Sequence, residues 1–199
     1  MIDAALRILI IDENAIRSAI LEEGLREAGH VNVTVIREVA NLLRRIVEID
    51  PDVILIDLEN PNRDVLEQMF QVSRSVRRPV AMFVDQSDTT MIERAVEAGV
   101  STYVVDGLRK DRVKPILDMT LSRFHAFTRL QRELEDTKQA LEDRKSIDRA
   151  KALLMRQRNL EEPQAYALLR ETAMRENRTV GDVARSILTA VDLLKGPGP

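Results

Sequence analysis

Three carboxylates stand where short apolar runs end: Asp12 and Glu13 after "RILII", and Asp57 after "DVILI". If those runs are strands of one sheet, the acids converge at the strand ends. Hard oxygen ligands of this kind suit Mg²⁺, and a carboxylate beside the ion is placed to accept a phosphoryl group. For any one acid a plainer reading competes, because aspartates at strand ends also stop strands and cap helices. A second constellation is cationic. In "IDRAKALLMRQR" (Ile147–Arg158), residues set 100° apart put Ile147, Ala150, Leu153 and Leu154 on one arc. Lys145, Arg149 and Arg156 fall on the opposite side, while Lys151 lies inside the apolar arc. A lysine held rigidly there would offer a fixed charge to a polyanion. The ordinary alternative is a stem laid along apolar surface with its charge in water.

Other chemistries are poorly supplied. There is no Cys, so disulfide, thiolate and Cys-ligated zinc chemistry are excluded, which suits a reducing cytoplasm. The two histidines, His30 and His125, have no partner motif, which argues against His-based catalysis and His-rich metal sites. Hydrophobic residues make up 44% and charged residues 32%, enough for packed cores under a wet surface. No signal pattern or membrane-length apolar run is present. Residues 1–120 carry 15 Lys and Arg against 21 Asp and Glu, whereas residues 121–199 carry 15 against 12. An acidic half followed by a basic half points to two domains, the second facing a polyanion.

The acids need a scaffold, and the first half supplies the pattern for one. "RILIID", "VNVTVI", "DVILID", "VAMFV" and "TYVV" are short runs rich in Val and Ile. Between them lie segments with apolar residues three and four apart. Strands alternating with helices in this way predict βαβ units, hence a five-stranded parallel sheet with its working site at the carboxyl ends of the strands. From Asp111 onward the pattern is helical, with Pro115 expected in a first turn. Phe127, Leu130, Leu134, Thr137 and Leu141 follow a 3-4-3-4 spacing. That stripe predicts a coiled-coil dimer, or packing against the chain's own last helices. Pro163 is expected at the first position of the next helix, "TVGD" (Thr179–Asp182) as a capping box opening the last, and "GPGP" as a frayed end.

Over roughly residues 5–125 the chain resembles the receiver domain of two-component response regulators. "ILIIDEN" matches the first strand and its acidic pair, "DVILIDLENP" the phosphoacceptor strand, and "AGVSTYVVDG" the segment around the fifth strand. The resemblance implies a flavodoxin-like fold, Asp57 as phosphoacceptor, and Mg²⁺ held by Asp12, Glu13 and Asp57. It puts Tyr103 at the aromatic switch position. Two departures matter. Where receivers carry a strand-four Ser or Thr that bonds the phosphoryl oxygen, this chain has Val84. Where they carry a Lys after strand five, it has Asp106. A methyl group donates no hydrogen bond, and an added anion beside an aspartyl phosphate repels it.

"SIDRAKALLM", "PQAYALLRETAM" and "RTVGDVARSIL" in this order resemble the ANTAR domain, the three-helix RNA-binding module of transcription antiterminators. Receiver, coiled coil and ANTAR in succession resemble nitrate-assimilation antiterminators. The resemblance implies a receiver-like domain at residues 1–122, a coiled-coil linker helix at 123–145 and an all-α RNA-binding domain at 146–195. The implied partners are leader-RNA stem-loops, a second copy of the chain on that RNA, and a nitrate/nitrite-sensing regulatory protein, with no membrane partner and no turnover. Tyr166 and Arg170, four apart, would meet unstacked loop bases. Arg149, Lys151, Arg156, Arg158 and Arg178 would meet phosphates or base edges. Against this stand solvated arginines and a rim tyrosine. A rival class is a phosphorylation-dependent DNA-binding response regulator, with "RTVGDVARSIL" as recognition helix. An enzyme using Asp57 as a phosphoryl nucleophile would lack an acid–base partner beyond Glu13.

Overall fold

Strands that are apolar on both sides bury all their side chains only when helices cover both faces of their sheet. The computed structural model, which describes residues 6–195 apart from 39 and 60, has this arrangement. The "GPGP" end lies outside the described residues. The elements run β1 (Ile8–Ile11), α1 (Ala15–Glu27), β2 (Val33–Ile36), α2 (Leu42–Ile49), β3 (Val53–Leu58) and α3 (Arg63–Val76). They continue with β4 (Val80–Val84), α4 (Thr89–Glu97), β5 (Thr102–Val105), α5 (Lys110–Arg158), α6 (Glu162–Glu176) and α7 (Val180–Lys195). The strands form one parallel sheet in the order β2-β1-β3-β4-β5. This is the flavodoxin-like order, whose switch point lies between β1 and β3.

Alternation along the strands splits the core in two. Leu9, Ile11, Ile54, Ile56, Met82 and Val84 face one way, onto residues of α2, α3 and α4 such as Ile46, Phe70 and Ala95. Ile8, Ile10, Leu55 and Phe83 face the other way, onto Leu21 and Leu25 of α1 and Val113 and Leu117 of α5. Register then sets the site. Ile11 pairs with Ile56 and Leu58 with Val84, so the residues just past these pairs gather at one edge of the sheet.

Close approach of α1 to α5 depends on Gly24. A methyl group there would stand 2.8 Å from a Val113 methyl and 2.9 Å from the Lys110 carbonyl oxygen. Gly24→Ala is therefore expected to lower stability by about 1–3 kcal/mol, the usual penalty for overpacking. The measurement is a urea midpoint at unchanged slope. An unshifted midpoint would mean that α1 moves outward freely.

By packing, the chain divides into two compact units, residues 1–128 and 129–199. The expected boundaries at 122/123 and 145/146 both fall inside one unbroken helix, α5. Pro115 stands one turn inside α5 rather than in its first turn, and the helix runs on past it. In the second unit, Ala150 and Leu154 of α5, Ala165, Leu169 and Ala173 of α6, and Val183 and Ala184 of α7 form a small core. Their small side chains let three short helical segments come close. The entrances to the last two helices are capped by side chains. Gln164 accepts from the Glu161 N–H at 3.0 Å, with Pro163 in the second position of α6 rather than the first. Thr179 and Asp182 exchange backbone-to-side-chain bonds of 3.3 and 3.1 Å, the capping box expected for "TVGD".

Candidate functional sites

The receiver pocket is built from the ends of β1, β3 and β4. Asp12 follows β1 and is buried. Its Oδ1 accepts from the Asn14 N–H at 2.8 Å, while Oδ2 is buried with no hydrogen-bond partner. Burial above all, with a contribution from Asp57, pushes the Asp12 carboxyl up to about 6. Asp57, the penultimate residue of β3, has a side chain that is 0% exposed. Glu13 is exposed and points its charge into solvent.

The pocket's cation comes from α1. Asn14 caps this helix, accepting from the N–H groups of Ile16 and Arg17. The helix turns Ser18, Leu21, Gly24 and Leu25 inward. Arg17 lies one turn before Leu21 on that face, so its side chain reaches over the strand ends. Its Nε donates to Asp57 Oδ2 at 2.7 Å and its Nη2 to Asp57 Oδ1 at 2.8 Å. Its Nη1 stands 2.9 Å from Asp85 Oδ1, just past β4. The bond to Asp57 raises the guanidinium above even its usual high value. Sequence reasoning missed Arg17 and Asp85. Helical phase carried the signal, since Arg17 shares an arc with Leu21, Gly24 and Leu25.

This corrects the expected metal triad. Asp12 and Asp57 come together, but Glu13 points away and both Asp57 oxygens already accept from Arg17. Among the described residues no group of three or more Asp, Glu or His stands where it could hold a metal ion. The partnerless Asp12 oxygen alone would suit Mg²⁺. The guanidinium against Asp57 does not, so the residues as placed do not fit the ion.

The switch positions are also rearranged. Val84 is buried within β4 and presents no polar group. Tyr103, half-buried on β5, shares a 3.0 Å hydrogen bond with Ser87 Oγ, so the hydroxyl that meets it comes three residues after Val84. Burial raises its phenol above the ordinary value. Asp106 is exposed, with a left-handed backbone (φ 48°). Its charge is therefore turned to solvent rather than into the pocket, and the cation absent after β5 is supplied by α1.

In the second unit the expected RNA-facing residues divide into two groups. Arg149, Arg156, Arg158, Tyr166 and Arg170 are all exposed. Tyr166 and Arg170 line one shallow depression on the outer face of α6 with Pro163, Met174 and Arg175. Arg175 was not anticipated. Lys151 and Arg178 belong to the second group, because their charges are used internally. Lys151, 17% exposed, reaches Asp148 at 2.9 Å and Glu162 at 2.7 Å, bridging α5 and α6. Arg178 pairs with Glu176 and donates to the Asp182 carbonyl and Ser186 Oγ at the head of α7. Arg185 adds a further brace, pairing with Asp143 of α5 and Asp182 of α7. The lysine inside the apolar arc is thus a clamp between helices. The signal would have been Glu162, the residue one turn before Tyr166 at the start of α6.

Comparison with known proteins agrees with both units. The family model "Response regulator receiver domain" matches residues 8–118, and the model "ANTAR domain" matches residues 135–188. The chain is 29% identical over 188 residues to transcriptional regulatory protein PdtaR of Mycobacterium tuberculosis, covering 94% of this chain and 92% of that one. It is 37% identical over 76 residues to the nitrate regulatory protein of Klebsiella oxytoca, covering 38% of this chain and 19% of that protein. Among solved structures, a putative pilus assembly-related protein from Burkholderia pseudomallei superposes with a TM-score of 0.54 at 21% identity, over 62% of this chain and 94% of that one. The signal receiver domain of a diguanylate cyclase from Desulfovibrio desulfuricans superposes with a TM-score of 0.51 at 17% identity, over 61% and 97%. Those two likenesses concern the fold alone. The parallel sheet with its acidic strand ends and the braced three-helix unit therefore have the same source: the chain belongs to the response regulator receiver family and carries an ANTAR domain after its receiver.

Proposed function

We propose that this protein is an RNA-binding transcription antitermination regulator acting on leader-RNA stem-loops in the cytoplasm, without turnover. Its receiver is degenerate as a phospho-switch and is governed by a sensor protein. The likeness of 38% of the chain to the Klebsiella nitrate regulatory protein supports nitrate or nitrite assimilation genes as the target, with a nitrate/nitrite-sensing protein as the partner.

The observation that carries this reading is the outer face of α6. An exposed tyrosine, an exposed methionine, two arginines and one carboxylate, Glu171, share one depression there, on a helix whose opposite side is the domain core. A flat ring and planar guanidinium groups suit unpaired bases, which RNA loops offer and duplex DNA does not. Arg149 and Arg156 lie on the outward side of α5 and suit phosphates. Ile92, Val96 and Val105 leave an exposed apolar edge on α4 and β5, which supports a protein partner on the receiver. No helix of the described residues is long and apolar enough to cross a membrane.

Filter binding of the full chain tests the reading, with a hairpin RNA set against a DNA duplex of matching stem sequence. Preference for the hairpin by roughly tenfold or more, weakening with salt, is expected. Preference for the duplex, strengthened by phosphoryl donors, would instead establish the DNA-binding response regulator.

Two copies gripping neighbouring stem-loops would multiply affinity without a larger interface. Phe127, Leu130, Leu134 and Leu141 are each more than half exposed on α5, leaving an apolar stripe uncovered in the single chain. Leu134→Asp is expected to shift the mass measured by light scattering from dimer to monomer, because a buried carboxylate in such a seam lacks a partner. A wild-type monomer at tens of micromolar would refute the dimer.

A further inference from the structure

We infer that α1 is the relay of this receiver, joining Asp57 at one end to the first turns of α5 at the other. Both ends of the link are in the structure. At the head of α1, Arg17 gives Nε and Nη2 to Asp57 and Nη1 to Asp85, so both oxygens of Asp57 are tied to this helix. About two turns later on the same face stands Gly24. A methyl group there would meet a Val113 methyl and the Lys110 carbonyl oxygen, so no side chain of α1 separates the two helices at this point. Lys110, the first residue of α5, donates to Glu23 at 3.0 Å and to Glu27 at 2.9 Å. Leu21 and Leu25 of α1 share one core with Val113 and Leu117.

The route through β4 and β5 lacks such links. Val84 is buried and apolar, the Tyr103 hydroxyl meets Ser87, and Asp106 turns to solvent. None of the three offers a side-chain bond to Asp57, whose oxygens both accept from Arg17. Helix α1, by contrast, is gripped at both ends. Ser18, Leu21, Gly24 and Leu25 form its buried face. A helix packed along such a face moves as a rigid body, because close-packed interiors transmit displacement rather than absorb it. A change in the charge or position of Asp57 therefore tilts α1, and the contact at Gly24 passes the tilt to Val113. The Lys110 pairs are exposed and individually weak, so the steric contact carries the coupling and the pairs fix its lateral position. Because α5 runs without a break to Arg158, its first turns are where the receiver grips the helix that enters the ANTAR domain.

Hydrogen exchange of the full chain, read by mass spectrometry, tests the forward direction. Arg17→Met, which keeps the apolar stem, is expected to speed exchange in residues 15–27 and 110–121 roughly fivefold or more beyond any change in α3 and α4, the low end of a typical allosteric coupling. Uniform acceleration across all receiver helices would mean plain loss of stability and overturn the relay. Faster exchange confined to α1, or none at all, would overturn it too. Coupling between two sites is reciprocal, so the reverse direction must hold as well. Gly24→Ala forces α1 away from α5 and is expected to quicken solvent exchange of the Arg17 Nε–H, read by nuclear magnetic resonance, again beyond any change in α3 and α4. If Arg17→Met does not fold, this second arm decides: an unchanged Nε–H overturns the inference and a faster one upholds it. Neither readout involves RNA, so failure here leaves the proposed function standing.

Discussion

Asp57→Asn is expected to destabilise the receiver by about 2–4 kcal/mol, a loss rather than a gain. The sign carries the information. In an acidic pocket with no cation of its own, neutralising one carboxylate relieves repulsion and raises stability. Here Asp57 is fully buried and forms both bonds of a bidentate pair with Arg17, whose side chain is 16% exposed. Truncating one partner of a buried pair costs about 3–5 kcal/mol because the other charge is stranded. Asp85 retains one contact with the guanidinium, which trims the loss. Chemical denaturation of the receiver transition measures the change in midpoint, provided that the slope is unaltered. A cycle adding Arg17→Met should show coupling of about 1–3 kcal/mol between the two side chains. An Asp57→Asn protein as stable as wild type, or more so, would remove Arg17 from its role.

The second large effect concerns RNA. Combined Tyr166→Ala and Arg170→Ala is expected to weaken hairpin binding roughly a hundredfold, since a stacked base is worth about 1–3 kcal/mol and both side chains line one depression. Arg149→Ala or Arg156→Ala should act differently, each lowering the dependence of affinity on salt by about one ion while changing sequence preference little. Lys151→Met provides the contrast. Its ammonium joins Asp148 to Glu162, so its loss should loosen α5 from α6 and lower the melting temperature of the C-terminal unit. Filter binding together with circular dichroism separates the two behaviours. If the Tyr166 and Arg170 variants stay folded and bind RNA as wild type does, the outer face of α6 is not the RNA surface.

Much of this architecture is legible in the amino-acid order, for identifiable reasons. Strands buried on both faces leave continuous runs of Ile and Val, so β1, β3, β4 and β5 fall within a residue or two of those runs. "TVGD" contains both halves of a reciprocal cap, and the cap is there. The three ANTAR segments announce themselves by order as well as content, and the matched family covers them. These features depend on neighbours within about a dozen residues, which a one-dimensional pattern records.

The chemistry of the two sites is different, because charges choose partners through space. Asp12 and Asp57 could be anticipated as strand-end acids. That Glu13 turns to solvent, Asp106 points away and Arg17 closes the pocket depended on helix phase, a left-handed residue after β5, and a bond between residues 40 apart in sequence. Lys151 was legible as an oddity in an apolar arc, and its meaning was not. Only the packing of α6 against α5 brought Glu162 to it and gave its ammonium a partner on the next helix. The sequence by itself therefore determined which elements form and their order, since these follow from local periodicity and capping, and its motifs carried the resemblance to the two families. Tertiary structure alone decided which charges neutralise one another and which stay free to act, because Coulomb energy depends on separation and burial rather than on position along the chain.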